Sequence, residues 1–178
     1  MNKLNRPQLV KKAVFAGGCF WCVEAAFEKL SGVVEVLSGY TGGKTANPTY
    51  EQVSTGTTGH YEAIQVSYVP QQVTYQQLLD RFWKNVDPFD NYGQFVDQGS
   101  QYKTAIFYGD EPERQLAEQS KQQLQKKFPK AIATKILPLK AFYPAEEHHQ
   151  DYYKNRPAQY RAYEQGSGRK QKLKQILG

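Results

Sequence analysis

The stretch that most constrains this chain is Ala13-Val14-Phe15-Ala16-Gly17-Gly18-Cys19-Phe20-Trp21-Cys22. A short apolar run followed by two glycines reads as a strand ending in a tight turn. The next segment places Val23, Ala26, Phe27 and Leu30 on one face at helical spacing, which predicts a helix from about Phe20 to Leu30. The chain's only two cysteines then stand at i and i+3 of the first helical turn, about 5–6 Å apart on one face.

The rest of the pattern alternates. Strands are predicted over about Lys12–Ala16, Val33–Gly39, Ala63–Tyr68, Thr104–Tyr108 and Ala133–Pro138. Along the third, Ile64, Val66 and Tyr68 share one side. Thr74 with Gln77 three residues on forms a capping box for a helix running through Leu78, Leu79, Phe82 and Trp83 to about Asn85. Asp110 caps another helix, with Leu116, Ser120, Leu124 and Phe128 four residues apart. A last helix is expected from near Ala145 to just before Pro157. The first six elements read βαββαβ, the order of a ferredoxin-like plait. The expected class is therefore α+β, a two-layer sandwich with an additional strand, additional helices and long loops; a doubly wound parallel sheet is the alternative. With 178 residues and no repeat or low-complexity linker, residues 1–178 read as a single domain with its core over about 12–157. Two connections, Tyr40–His60 and Asp87–Lys103, are rich in Gly, Asn and Pro and too long for simple turns, which marks them as functional loops.

The net charge of +6 is a property of one end. Residues 153–178 hold seven Lys/Arg against Glu164, while residues 1–152 hold sixteen of each sign. Residues 158–178 are expected to be a solvated, partly mobile basic tail. The tail has no aromatic after Tyr163, so it lacks the stacking platform of a nucleic-acid groove, and no nucleic-acid partner is expected. No apolar run approaches the ~20 residues of a membrane span. Met1–Lys12 is polar and basic, without a signal peptide's apolar segment. A cytoplasmic location follows, with thiols kept reduced. Nothing suggests an obligate dimer, and a monomer is expected.

At a helix start, Cys19 would meet unpaired backbone N–H groups and the positive end of the dipole, both favouring thiolate. Cys22 is close enough to form a disulfide with it. Two small core residues are the bland alternative. A metal site would need His60, His148 or His149 to complete about four ligands, and no second cysteine pair exists, so no metal is expected. Glu62 shares the parity of Ile64, which turns a carboxylate toward the buried side, where burial would raise its pKa and suit it to general-acid work. Its alternative is an exposed acid at a strand end. Tyr40 and Tyr102 flank the long loops and could donate to a developing oxyanion or simply pack in the core. Asp97 is either a turn cap or a site carboxylate. His148 and His149 read as a surface or structural pair. Gly17-Gly18 completes no phosphate-binding motif.

Six separated motifs occur in order. They are Gly17-Gly18-Cys19-Phe20-Trp21, Gly39-Tyr40-Thr41-Gly42-Gly43, Asn47-Pro48-Thr49-Tyr50, Gly59-His60-Tyr61-Glu62-Ala63, Asp97-Gln98-Gly99-Ser100-Gln101-Tyr102, and Phe142-Tyr143-Pro144-Ala145-Glu146 with His149-Gln150. Through them the chain, from about Lys12 to Ser167, resembles the peptide methionine sulfoxide reductase A family, whose fold is similar to the plait above. The resemblance implies reduction of methionine-S-sulfoxide, protein-bound and free. Cys19 would be the nucleophile, becoming a sulfenic acid. Glu62 would protonate the leaving oxygen, with Tyr40 and Tyr102 hydrogen-bonding it and Asp97 supporting. Phe20 and Trp21 would hold the terminal methyl. Many family members have Gly where this chain has Cys22, and carry resolving cysteines near the C-terminus; none follows Cys22 here. Cys22 is thus the expected resolving cysteine, with thioredoxin or another dithiol as reductant and no bound cofactor. Direct reduction of Cys19 by an external thiol is the alternative at that step. The rival functions are a general thiol–disulfide oxidoreductase, for which Cys-x-x-Cys at a helix start is the hallmark, and a non-catalytic peptide- or metal-binding module.

Overall fold

Strand β1 (Lys11–Gly17) is the middle of the molecule, and its pleat explains the layering. In this computed structural model, which describes residues 8–178, Ala13 and Phe15 face one side of the sheet and Val14 and Ala16 the other, all nearly inaccessible to water. The first side carries the main core under helix α1 (Phe20–Phe27). On β1's flanks lie β3 (Tyr61–Tyr68) and β6 (Thr104–Tyr108), both antiparallel to it. Next to β3 is β2 (Val33–Thr41), again antiparallel. The four-strand order β6-β1-β3-β2, with α1 and α3 (Tyr75–Trp83) as the crossovers, is the ferredoxin-like plait read from the pattern. The Met1–Lys12 reading falls, up to residue 7, outside the described residues.

Both edges are extended. Helix α4 (Glu111–Gln125) crosses back so that β7 (Lys135–Pro138) pairs parallel with β6. On the other edge β8 (Phe142–Pro144) pairs with β2. The sequence reading missed β8: three residues ending in proline carry no alternation, and a proline is tolerated only because the strand lies at the edge.

The long connections fold locally. Tyr40–His60 holds α2 (Tyr50–Ser54), opened by a capping box between Thr49 and Gln52. Asp87–Lys103 holds a small ribbon of β4 (Gly93–Gln94) and β5 (Asp97–Gln98), then a 3₁₀ turn at Ser100–Tyr102. Gln94 pins this loop: fully buried, it accepts from Asp87 N and donates to the Asp87 and Gly93 carbonyls. Its side chain rests on the glycine turn. A Cβ on Gly18, whose φ is +84°, would lie 2.6 Å from the Gln94 Cβ, so only glycine permits this approach.

The C-terminal stretch overturns two expectations. In place of one helix from Ala145, a 3₁₀ turn at Glu147–His149 is followed by Asp151 in the left-handed region (φ 51°), then α5 (Tyr152–Asn155). Pro157 starts a helix rather than stopping one: it opens α6 (Pro157–Gly166), and α7 (Arg169–Leu177) follows. The supposed solvated tail, 158–178, is therefore helical and docked. Arg169 is 6% exposed, and its guanidinium donates to Gly17 O at 3.0 Å and to Asn85 O at 2.6 Å. Asn85 lies just past the end of α3, where the carbonyls favour a cation. Lys172 pairs with the buried Asp87 at 3.0 Å. The basic excess was read as a solvated run, but two of its cations hold the helices to the glycine turn and its neighbouring loop.

Candidate active site

Helix α1 and strand β3 bring the expected nucleophile and the expected acid together. Cys19 is the residue before α1, and Glu62 is the second residue of β3, on the same face as Ile64 and Val66. Both line one cavity of about 170 Å³, shared with Phe20, Trp21, Tyr50, Asp97, Tyr102 and Tyr163. Pockets for drug-sized ligands measure roughly 300–1,000 Å³; this cavity is on the scale of a side chain.

Glu62 is 3% exposed and accepts from Phe20 N at 3.1 Å. Burial dominates over that hydrogen bond and, with the nearby Asp97 and Cys22 charges, pushes its pKa up to about 8. At neutral pH the cavity thus holds a carboxylic acid with a proton to give. The same hydrogen bond changes the expectation for Cys19. The helix-start N–H of Phe20, which was to support a thiolate at Cys19, is aimed at the carboxyl group. Cys19 is 6% exposed, and burial pushes its thiol well above the usual range, with Cys22 and Glu62 adding to the effect and the Tyr163 hydroxyl opposing it. Cys19 therefore rests as a thiol. Its partner goes the other way: the Cys22 thiol is lowered, chiefly because Cys19 hydrogen-bonds to it, helped by Arg169 and Tyr160 and opposed by burial.

The aromatic wall is built from two directions. The Trp21 ring stacks flat on Tyr152, centroids 3.8 Å apart and planes 7° apart, and meets Tyr163 edge-on. Its Nε1 donates to His149 Nδ1 at 3.2 Å. His149 is buried and also packs on Phe20, so the histidine pair does have a structural member, and it orients the tryptophan. Fully buried Glu24, on α1, accepts from Asp151 N at 3.2 Å, tying down the left-handed turn that delivers Tyr152.

Of the residues expected at the site, Cys19, Glu62, Phe20, Trp21, Tyr102 and Asp97 line the cavity, and Tyr40 and Cys22 do not. Tyr40 stands opposite Glu62 in the β2–β3 ladder. Yet its ring is fully buried against Phe20, and its hydroxyl donates to Glu146 Oε1 at 3.0 Å. Tyr50, not singled out from the sequence, lines the cavity instead. Glu146 links the two, since its Oε2 accepts from Tyr50 N at 3.0 Å and so fixes the start of α2. Asp97 accepts from the Tyr163 hydroxyl. Tyr163, Tyr160 and Arg169, which lie within the supposed tail, were missed. Pro157 at a helix start, with Tyr160 and Tyr163 at i and i+3, was the available signal. The cysteines do not join the histidines: His60 is engaged with Gly43 N and Thr45 O. Among the described residues, the group close enough to share an ion is Glu24, Glu28 and Asp151, already bridged in part by Lys154.

A buried thiol facing a neutral carboxylic acid, three phenols and an aromatic wall is suited to a polar group carried on an apolar side chain. Comparison with known proteins agrees. The family model described as Peptide methionine sulfoxide reductase matches residues 11–178. "Peptide methionine sulfoxide reductase MsrA" of Halalkalibacterium halodurans is 52% identical over 162 residues, covering 90% of this chain and 92% of that one. Among solved structures, reduced Mxr1 from Saccharomyces cerevisiae superposes with a TM-score of 0.81 at 33% identity, over 86% of this chain and 89% of that one. Mxr1 in complex with Trx2 superposes with a TM-score of 0.57 at 27% identity, over 85% and 92%. The chain belongs to the peptide methionine sulfoxide reductase family.

Proposed function

We propose that this protein reduces methionine-S-sulfoxide, free or within proteins, to methionine, and that Cys19 and Glu62 act as a proton-coupled pair. The observation that carries this is the shared cavity, in which a buried thiol faces a carboxyl group that stays protonated up to about pH 8. Cys19 Sγ attacks the sulfoxide sulfur. Glu62 gives its proton to the sulfoxide oxygen, which Tyr50 and Tyr102 hydrogen-bond as charge develops on it. The oxygen passes to Cys19 as a sulfenic acid, methionine leaves, and the thiol's own proton returns to Glu62. Phe20 and Trp21 form the surface for the terminal methyl, which sets the face of sulfur presented to Cys19 and hence the epimer.

Cys22 then attacks the sulfenic sulfur, giving a Cys19–Cys22 disulfide and water. The two cysteines are buried neighbours, and Arg169 and Tyr160 beside Cys22 favour its ionised form. A thioredoxin-type dithiol reduces the disulfide by exchange; the complex of the yeast relative with Trx2 supports that partner. The test offers both sulfoxide epimers with a dithiol reductant and, separately, one substrate addition without reductant. Consumption of the S form alone, abolished in Cys19→Ser, with loss of two hydrogens from the protein mass, is expected. Turnover of the R form, or a persistent added oxygen with Cys22 intact, would refute the epimer or the resolving assignment respectively.

A further inference from the structure

The two sulfurs open onto different cavities. Cys19 lines the substrate cavity and Cys22 does not. Cys22 instead lines a second cleft of about 200 Å³, between α1, α3, α6 and α7. Four cations line this cleft, Lys29, Arg81, Arg169 and Lys170, against one acid, Glu164. Glu164 is already paired with Lys170 at 3.0 Å. Lys29 and Arg81 form no ion pair among the described residues, and Arg169 brings a buried Nε with no hydrogen-bond partner. A narrow basic cleft with a sulfur in its wall concentrates anions at that sulfur.

We propose that this cleft is a binding site for small thiols bearing carboxylate groups, which reduce the Cys19–Cys22 disulfide by attack at Cys22 from the side away from the substrate. The inference rests on Cys22 being the resolving cysteine. In the first step the incoming thiolate forms a bond to Cys22 Sγ, and the Cys19–Cys22 bond breaks. Cys19 leaves with the electron pair and takes up a proton. Exchange needs the leaving sulfur on the side away from the attacking thiolate, and Cys19 lines the other, substrate-side cavity. A second thiolate attacks the mixed disulfide, releasing the small-molecule disulfide and Cys22. In sum, one protein disulfide and two thiols give one protein dithiol and one small disulfide. The cleft is too small for a folded domain to enter but holds a molecule of cysteine-like size, and Lys29 and Arg81 are placed to meet its carboxylates.

Two measurements test this. First, the oxidised protein is reduced with mercaptosuccinate, 2-mercaptoethanol or cysteamine at low ionic strength, and rates are compared per unit of thiolate. The dianion should be about tenfold faster than the neutral thiol and the cation slowest, an ordering that collapses in about 0.5 M NaCl and in the Lys29→Gln/Arg81→Gln double variant. Equal rates for the three thiols would overturn the proposal. Second, reduced Cys19→Ser protein is alkylated at Cys22 with iodoacetate or iodoacetamide, and their rate ratio is compared with that of free cysteine. A ratio raised about fivefold, and lost in the double variant, supports an anion site at Cys22; a ratio at or below that of free cysteine refutes it. If substrate never yields the disulfide, the resolving assignment fails and the redox step with it. The alkylation ratio then decides separately whether the cleft takes anions.

Discussion

Glu62→Gln is the sharpest perturbation of this site. Glutamine keeps the shape and an oxygen to accept from Phe20 N, the one hydrogen bond Glu62 makes within the described residues, so α1 should start where it does now. What it loses is the transferable proton. General acids of this kind contribute about 10²–10⁴-fold, and kcat/KM should fall by that factor. The pH profile supplies the second half. With a folded pKa of about 8, Glu62 is about nine-tenths protonated at pH 7 and about one-tenth at pH 9, so wild-type kcat/KM should drop about tenfold between them. The limb falls on the alkaline side because the active form is the acid. In Glu62→Gln that limb should vanish, leaving a low rate. Removing the carboxylate also relieves its repulsion of the Cys19 thiolate, so Cys19 should be alkylated faster above pH 8 in the variant even as turnover collapses. Steady-state kinetics with a single S-sulfoxide and a dithiol reductant in excess measure the first two effects, and iodoacetamide labelling the third. A variant within about threefold of wild type, or one that keeps the falling limb at the same midpoint, would refute the general-acid role.

Tyrosine substitutions check which phenols reach the substrate. Tyr50→Phe and Tyr102→Phe should each lower kcat by about 10²–10³-fold, as removal of an oxyanion donor does elsewhere. Tyr40→Phe should cost about 1 kcal/mol of stability through its lost Glu146 bond, read as a lower urea midpoint, and leave kcat within a few-fold; the reverse ranking would restore Tyr40 to the site. Glu24 predicts a pH-dependent stability. Burial first, then the neighbouring Glu28 and Asp151, raise it from 4.5 to about 8, against the Asp151 N–H and Lys154. Its raised pKa means the native state holds a proton the unfolded chain gives up, so stability falls as pH rises through 4.5 to 8. Glu24→Gln should escape this, its advantage over wild type widening by about 2 kcal/mol between pH 6.5 and 9 in urea melts; parallel curves would sink that account. Gly18→Ala should destabilise the fold by more than about 1 kcal/mol, since its φ is +84° and its Cβ would collide with the Gln94 side chain; an unchanged melting temperature would be the contrary result.

What the sequence made legible follows from how each residue is held. Glu62 was found because a strand has period two, and the parity of Ile64 and Val66 carries the side of every neighbour, a carboxylate included. Cys19 was found because a glycine turn between a strand and a helix is a local device. Its protonation state was not legible, since it depends on where a distant backbone N–H points, and the Phe20 N–H points to Glu62. Tyr40 misled for the same reason in reverse. Its ladder position opposite Glu62 puts it on the right face, but which hydroxyl reaches the cavity is decided by Glu146, more than a hundred residues on, which takes the Tyr40 hydroxyl and holds Tyr50 at the start of α2. A signal for Tyr50 existed in the Thr49–Gln52 capping box, which places it in a first helical turn rather than a formless loop. The C-terminal residues were lost to a charge argument. Counting cations says how a segment is solvated only if none of them finds an acceptor inside, and Arg169 finds two buried carbonyls. That anchor brings Tyr160 to Cys22 and Tyr163 to Cys19 and Asp97, so the segment that looked least structured completes the surroundings of both sulfurs.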